Sequence, residues 1–138
     1  MKTHPMTFLL AALGLTCACS GPAEDHSPRM TAVLVVAYAQ VGAAAPLYGL
    51  LDPEDQKNLE QEAARLSSPG SPVLPHDLLV IRVPPRDVAM AEPDVKTLEE
   101  NADDLHLEVG FGERSRYLLR LRRTQGRWRL RLPVSVKP

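Results

Sequence analysis

Apolar and charged positions alternate near the C-terminal end of the chain. In Arg114–Pro133 (RSRYLLRLRRTQGRWRLRLP), Tyr117, Leu119 and Leu121 fall on one side, and Arg116, Leu118, Arg120 and Arg122 on the other. Beyond Thr124-Gln125-Gly126 the pattern resumes, with Trp128, Leu130 and Leu132 opposed to Arg127, Arg129 and Arg131. A period of two on both sides of a short glycine-containing turn predicts a β-hairpin with an apolar face and an arginine face turned to water. Leu105, Leu107, Val109 and Phe111 alternate with His106, Glu108 and Gly110. They predict a further strand, joined to the hairpin through Gly112-Glu113. Asp94 to Leu98 is a fainter strand pattern, and Glu99 to Asp103 reads as an acidic turn.

Upstream the period changes to that of a helix. Ser27-Pro28 supplies a cap and a first-turn proline for a helix over Arg29 to Ala44, whose Val33, Val36, Ala37, Gln40, Val41 and Ala44 recur at three and four. Leu34 and Val35 widen its apolar surface, and the β-branched run Val33 to Val36 also fits a strand. Pro46 opens a short helical turn, Leu47 to Leu51. Asp52-Pro53-Glu54-Asp55 is a strong helix start, with a capping Asp and acids at the positive end of the dipole. This third helix runs to about Leu66 with a stripe of Leu59, Ala63 and Leu66. Ser67 to Pro72 breaks it. Leu78 to Val83 (LLVIRV) fits either a buried strand or a helical turn, ended by Pro84-Pro85.

The first residues follow neither period. Met1 to Ala18 has a basic start at Lys2 and an apolar stretch too short to cross about 30 Å of hydrocarbon, the pattern of a signal peptide. Leu15-Thr16-Cys17-Ala18-Cys19-Ser20 resembles the bacterial lipoprotein signal, with Thr16 where leucine is usual. Cys19 is the expected lipidation site because Ala18 precedes it, whereas Thr16 precedes Cys17. Ordinary cleavage after Thr16-x-Ala18 is the alternative. Both cysteines of the chain lie at this boundary, so neither is placed to cross-link a folded domain. Residues 19–27 then form a lipidated cysteine and tether, and residues 28–138 a single domain facing the periplasm or the cell surface.

Composition changes little in this picture: 44% hydrophobic and 24% charged residues are ordinary globular usage. The distribution of charge changes more. From Arg114 onward every charged residue is basic, while acids concentrate in Asp52–Glu62 and Glu92–Asp104. Arg120, Arg122, Arg129 and Arg131 would share one sheet surface, a candidate interaction face for an anionic protein or envelope component. The favoured reading is a solvated face whose arginines are balanced by carboxylates on neighbouring strands. Glu108 is placed to offset one arginine, and the acidic third helix is expected on the wrong side of the sheet to help.

The element order, with Tyr48-x-Leu50-Leu51, then Asp52-Pro53-Glu54-Asp55-Gln56, and an ending LRRTQGRWRLRLP over Leu121–Pro133, resembles small bacterial lipoprotein members of the nuclear transport factor 2-like (ketosteroid isomerase-like) superfamily. The resemblance implies an α+β cone: three N-terminal helices packed on a curved antiparallel sheet, with a pocket at the open end. It also implies a second copy pairing through the sheet.

The superfamily's isomerases use a pocket carboxylate as base, with a tyrosine and a protonated acid on the oxyanion. Here Tyr38, Tyr48 and Tyr117 have no inward aspartate beside them. His106 and Glu108 are expected outside the cone. His76 and Asp77 would face opposite ways on a strand. No catalytic residue, metal ligand or cofactor is therefore assigned, and His26, His76 and His106 lack metal-ligand spacing. No phosphate loop or serine elbow is present. Nucleic acid is not expected, because Trp128 should face inward, about where full burial would make Trp128→Ala cost ~3–5 kcal/mol. The expectation is an envelope lipoprotein held to the membrane by lipid, with a non-catalytic binding or interaction module for a small apolar ligand. The alternative is a small cofactor-free isomerase or lyase using the pocket.

Overall fold

A computed structural model describes residues 27–81, 93–111 and 115–137. Its element order is α1 (Pro28–Gln40), α2 (Ala44–Gly49), α3 (Pro53–Leu66), a single 3₁₀ turn (Pro75–Leu78) and strands β1 (Asp94–Glu100), β2 (Asp104–Phe111), β3 (Ser115–Thr124) and β4 (Arg127–Lys137). The signal peptide, Cys17, Cys19, His26, most of the tether and Pro84-Pro85 lie outside the described residues.

The helices begin where the capping residues placed them. Ser27 Oγ accepts from Met30 N (3.2 Å), and Asp52 Oδ1 accepts from Glu54 N (3.1 Å), with proline in the first turn of each helix. Their ends differ from expectation. Helix α1 stops at Gln40 rather than Ala44, because Gly42 adopts a φ of 68° that closes the helix. Helix α2 consequently starts at Ala44, two residues before Pro46. The buried side of α1 is Thr31, Ala32, Val35 and Val36, whereas Ala37 and Val41 are exposed. The expected stripe is thus rotated: the wide apolar girth left the choice of face to the sheet.

The four strands form an antiparallel meander in the order β1-β2-β3-β4. The β3–β4 turn is the two-residue type expected of a hairpin, with Gln125 (φ 53°) and Gly126 (φ 75°) both left-handed. Strand β1 extends past Leu98 through Glu99 and Glu100, with a bulge between Thr97 and Glu99. Strand β4 continues beyond Pro133 to Lys137. Between the pairs Arg120↔Arg131 and Leu118↔Ser135 it takes four steps against two, so side-chain faces are preserved.

One sheet face carries Leu105, Leu107, Val109, Tyr117, Leu119, Leu121 and Leu130, all buried against Ala32, Val35 and Val36 of α1 and against Leu47 and Leu51. Leu51 forms a parallel bridge to Leu130, so residues 50–52 run along the free edge of β4. Leu130 N donates to Leu50 O and Asp52 N to Leu130 O, both at 2.8 Å. This contact sets where α3 begins. Of the α3 stripe, Ala63 is buried and Leu59 packs on the core, but Leu66 is exposed, and Asp55 is buried instead. Leu79–Ile81 have no regular structure and Val80 is exposed, so this part of the LLVIRV run is neither strand nor helix. Leu78 ends the 3₁₀ turn.

Candidate functional site

The arginine face is built on paired strands. Arg122 stands opposite Arg129, and Arg120 opposite Arg131. Like charges so placed repel, and the fold answers with carboxylates. Because residues 50–52 join the β4 edge, Asp52 and the first turn of α3 reach the arginine side of the sheet, contrary to the expectation that α3 lies on the other side. Arg131 Nη1 meets Glu54 Oε2 at 2.6 Å and Asp52 Oδ1 at 3.3 Å, and its Nε lies 3.1 Å from Asp55 Oδ2. Only 13% of its side chain is exposed, so it does not point to water as the alternation predicted. Arg122 lies 3.3 Å from Glu54 and 3.6 Å from Asp104. Arg120 lies 3.8 Å from Asp104, and Arg129 Nη1 donates to Gly49 O at 2.9 Å. Glu108, expected to offset one arginine, pairs with Arg116.

Asp52 is the centre of this cluster. Thr124 Oγ1 donates to its Oδ2 at 2.7 Å while Oδ1 receives Glu54 N. Burial pushes its pKa up, but these hydrogen bonds and the charges of Arg131 and Arg122 outweigh that and hold it below the ordinary carboxylate value. Glu54 is also lowered, chiefly by its hydrogen bond from Arg131. Every acid in the cluster has an arginine beside it, so the arrangement is suited to clamping α3 to β4 and offers no base.

The groove that could hold a ligand is on the other face. This groove of about 520 Å³, open to solvent, lies between α1, α2 and the start of β4, lined by Met30, Leu34, Tyr38, Pro46, Leu50 and Trp128, with Arg127 and Arg129 at its side. That volume lies within the usual range for small-ligand sites, roughly 300–1,000 Å³. Trp128 faces inward as predicted, but it is half-buried and forms a wall of the groove. Among the described residues no carboxylate or histidine lines the groove. Smaller clefts lie beside Tyr38 and Ile81, and on the outer sheet face around Leu98, His106, Leu118 and Pro133.

The remaining polar candidates are scattered. Tyr48 donates to Glu60 Oε1 (2.9 Å), and Gln56 Nε2 returns a bond to Tyr48 O (2.9 Å), which ties α2 to α3 outside the groove. Partial burial, and then the Glu60 contact, raise the Tyr48 pKa. Burial alone raises that of Tyr117. His76 Nε2 lies 3.7 Å from Asp77 Oδ1 on the 3₁₀ turn, so the pair is not on a strand with its members facing apart. His106 lies on the outer sheet face, 3.4 Å from Glu99. Among the described residues no group of three or more His, Cys, Asp or Glu is arranged to hold a metal ion, and no helix is long and apolar enough to cross a membrane.

The sequence reading missed Met30, Leu34 and Leu50 as wall residues, because helical spacing marks an apolar face without saying which part of it stays uncovered. It also missed Thr124 as a partner of Asp52; a polar β-branched residue beside the hairpin turn was the available signal. No protein-family model, curated protein or solved structure matches this chain.

Proposed function

We propose that the protein is an envelope lipoprotein, anchored through Cys19, whose α+β domain is a cone of the nuclear transport factor 2-like kind acting as a non-catalytic binding module. The observation that supports binding over catalysis is the lining of the groove. Among the described residues that line it, Tyr38 is the only tyrosine and none is a carboxylate or histidine that could act as a base. Apolar walls with the rings of Tyr38 and Trp128, and Arg127 and Arg129 at the side, suit recognition of a largely apolar ligand that carries an anionic group. The isomerase or lyase alternative needs a pocket acid that these residues do not supply.

The arginine face is the weaker seat for a partner. Arg120, Arg122 and Arg131 are within 4 Å of carboxylates of this same chain, and Arg129 is bonded to Gly49. An anionic partner would have to displace those contacts.

Two measurements test the proposal. Anilinonaphthalene sulfonate titrated into the full chain should show saturable fluorescence that falls at least fivefold in Leu34→Asp; absence of saturable binding overturns the groove as a ligand site. Fatty-acid labelling should be lost and membrane association released in Cys19→Ser. Labelling that survives there but disappears in Cys17→Ser assigns the anchor to the other cysteine.

A further inference from the structure

The outward edge of β4 is closed at two positions and open at a third. Leu130 gives both its N–H and its C=O to residues 50–52, and Leu132 N donates to Asp55 Oδ2 at 3.0 Å. Along a strand, backbone groups at every second residue point the same way. Those of Leu130 and Leu132 point away from β3, so those of Trp128 do too. The register agrees. The two-residue turn makes Thr124↔Arg127 the bonded closing pair, which leaves Arg123↔Trp128 a pair that exchanges no bonds. Among the described residues none pairs with the Trp128 N–H or C=O. Trp128 is also one of the residues that line the groove, so this open stretch of edge lies beside it.

An open strand edge is something folds ordinarily cover, and here the cover ends at a residue that lines a largely apolar groove. A fatty acid or other simple amphiphile could take the N–H with its carboxylate but would leave the Trp128 carbonyl against hydrocarbon, at the cost of an unmade hydrogen bond. A residue of an extended peptide turns its own N–H and C=O to the same side at the right spacing, and the peptide's side chains alternate between pocket and solvent. Arg129 uses one of its five donors on Gly49 and lines the same groove, so a carboxylate on the incoming chain has a cation to meet.

We propose that the groove takes an extended segment of a partner protein, which adds as a short strand at Trp128 and brings a carboxylate to Arg129. The proposal rests on the binding-module reading of the same groove.

Amide hydrogen exchange on the ¹⁵N-labelled full chain reads the edge directly. In the free protein the Trp128 amide should exchange at least tenfold faster than those of Leu130 and Leu132. A pool of acetylated six-residue peptides, alternating apolar residues with threonine and ending on a free aspartate, should slow it at least tenfold. The same pool methylated on its backbone nitrogens should not, and Arg129→Gln should weaken the peptides at least threefold. If anilinonaphthalene sulfonate binds but the peptides leave Trp128 exchange unchanged, the peptide inference falls while the binding module stands. If neither binds, both fall. A Trp128 amide already protected in the full chain, and released by deleting residues 20–26, would make the chain's own tether the occupant and overturn the partner segment.

Discussion

Leu130 and Trp128 lie two positions apart on the same strand face, yet they have different surroundings. Leu130 is fully buried, bridged to Leu51 and facing Leu121, whereas Trp128 is half-buried beside an open groove. Leu130→Ala leaves an enclosed cavity and should cost about 3–4 kcal/mol. Trp128→Ala mainly widens a space that is already open to solvent, so about 1–2 kcal/mol is expected, below the ~3–5 kcal/mol typical of a fully enclosed aromatic. Urea unfolding followed by circular dichroism measures both, and a larger loss for Trp128 would show that the groove is closed in solution. Alternation predicted the side on which each residue falls. It could not predict the difference in burial, which depends on where Leu50 and Leu51 cover the β4 edge and where they stop.

At the scale of elements, the clamp between the start of α3 and β4 is the contact that orients the helical layer. Its acid–base state follows from Asp52. Because the folded pKa of Asp52 is depressed, its contribution to stability is complete above the unfolded value of about 3.9 and is lost as pH falls through the folded value. The melting temperature should therefore drop steeply on acidification below about pH 4. Asp52→Asn keeps a capping side chain but cannot be ionised, so it should melt lower at pH 7 and show a shallower decline between pH 5 and pH 2. An identical pH profile in the variant would remove Asp52 from the clamp. The helix start at Asp52-Pro53 was plain from the sequence, as were the existence of α1 and the hairpin. The far end of α1, the start of α2 and the reach of β1 and β4 were not. Gly42 outweighed the apolar spacing beyond it, and register shifts between Thr97 and Glu99 and between Leu118 and Arg120 let strands run through residues that ordinarily end them.

For the whole molecule, the charge asymmetry is largely settled within the chain. Glu substitutions at Arg122 and Arg129 would place carboxylates beside Glu54 and Asp104 and break the bond to Gly49. The double variant should melt at least 5 °C lower than the parent at low salt, with the gap narrowing at high salt as screening weakens the new repulsion. An unchanged melting temperature would mean that these arginines are spare, and would return the face to the list of docking surfaces. The period-two strands, the period-3.6 helices and the capping signals were determined by the sequence alone, because each reflects the geometry of a backbone a few residues long. So was the α+β class that follows from their order. Which acid meets which arginine was decided only by the tertiary structure. Arg131 and Asp52 are 79 positions apart, and no local pattern links them. They meet because residues 50–52 pair with the edge of β4, and that same pairing ends one step short of Trp128, leaving the groove open.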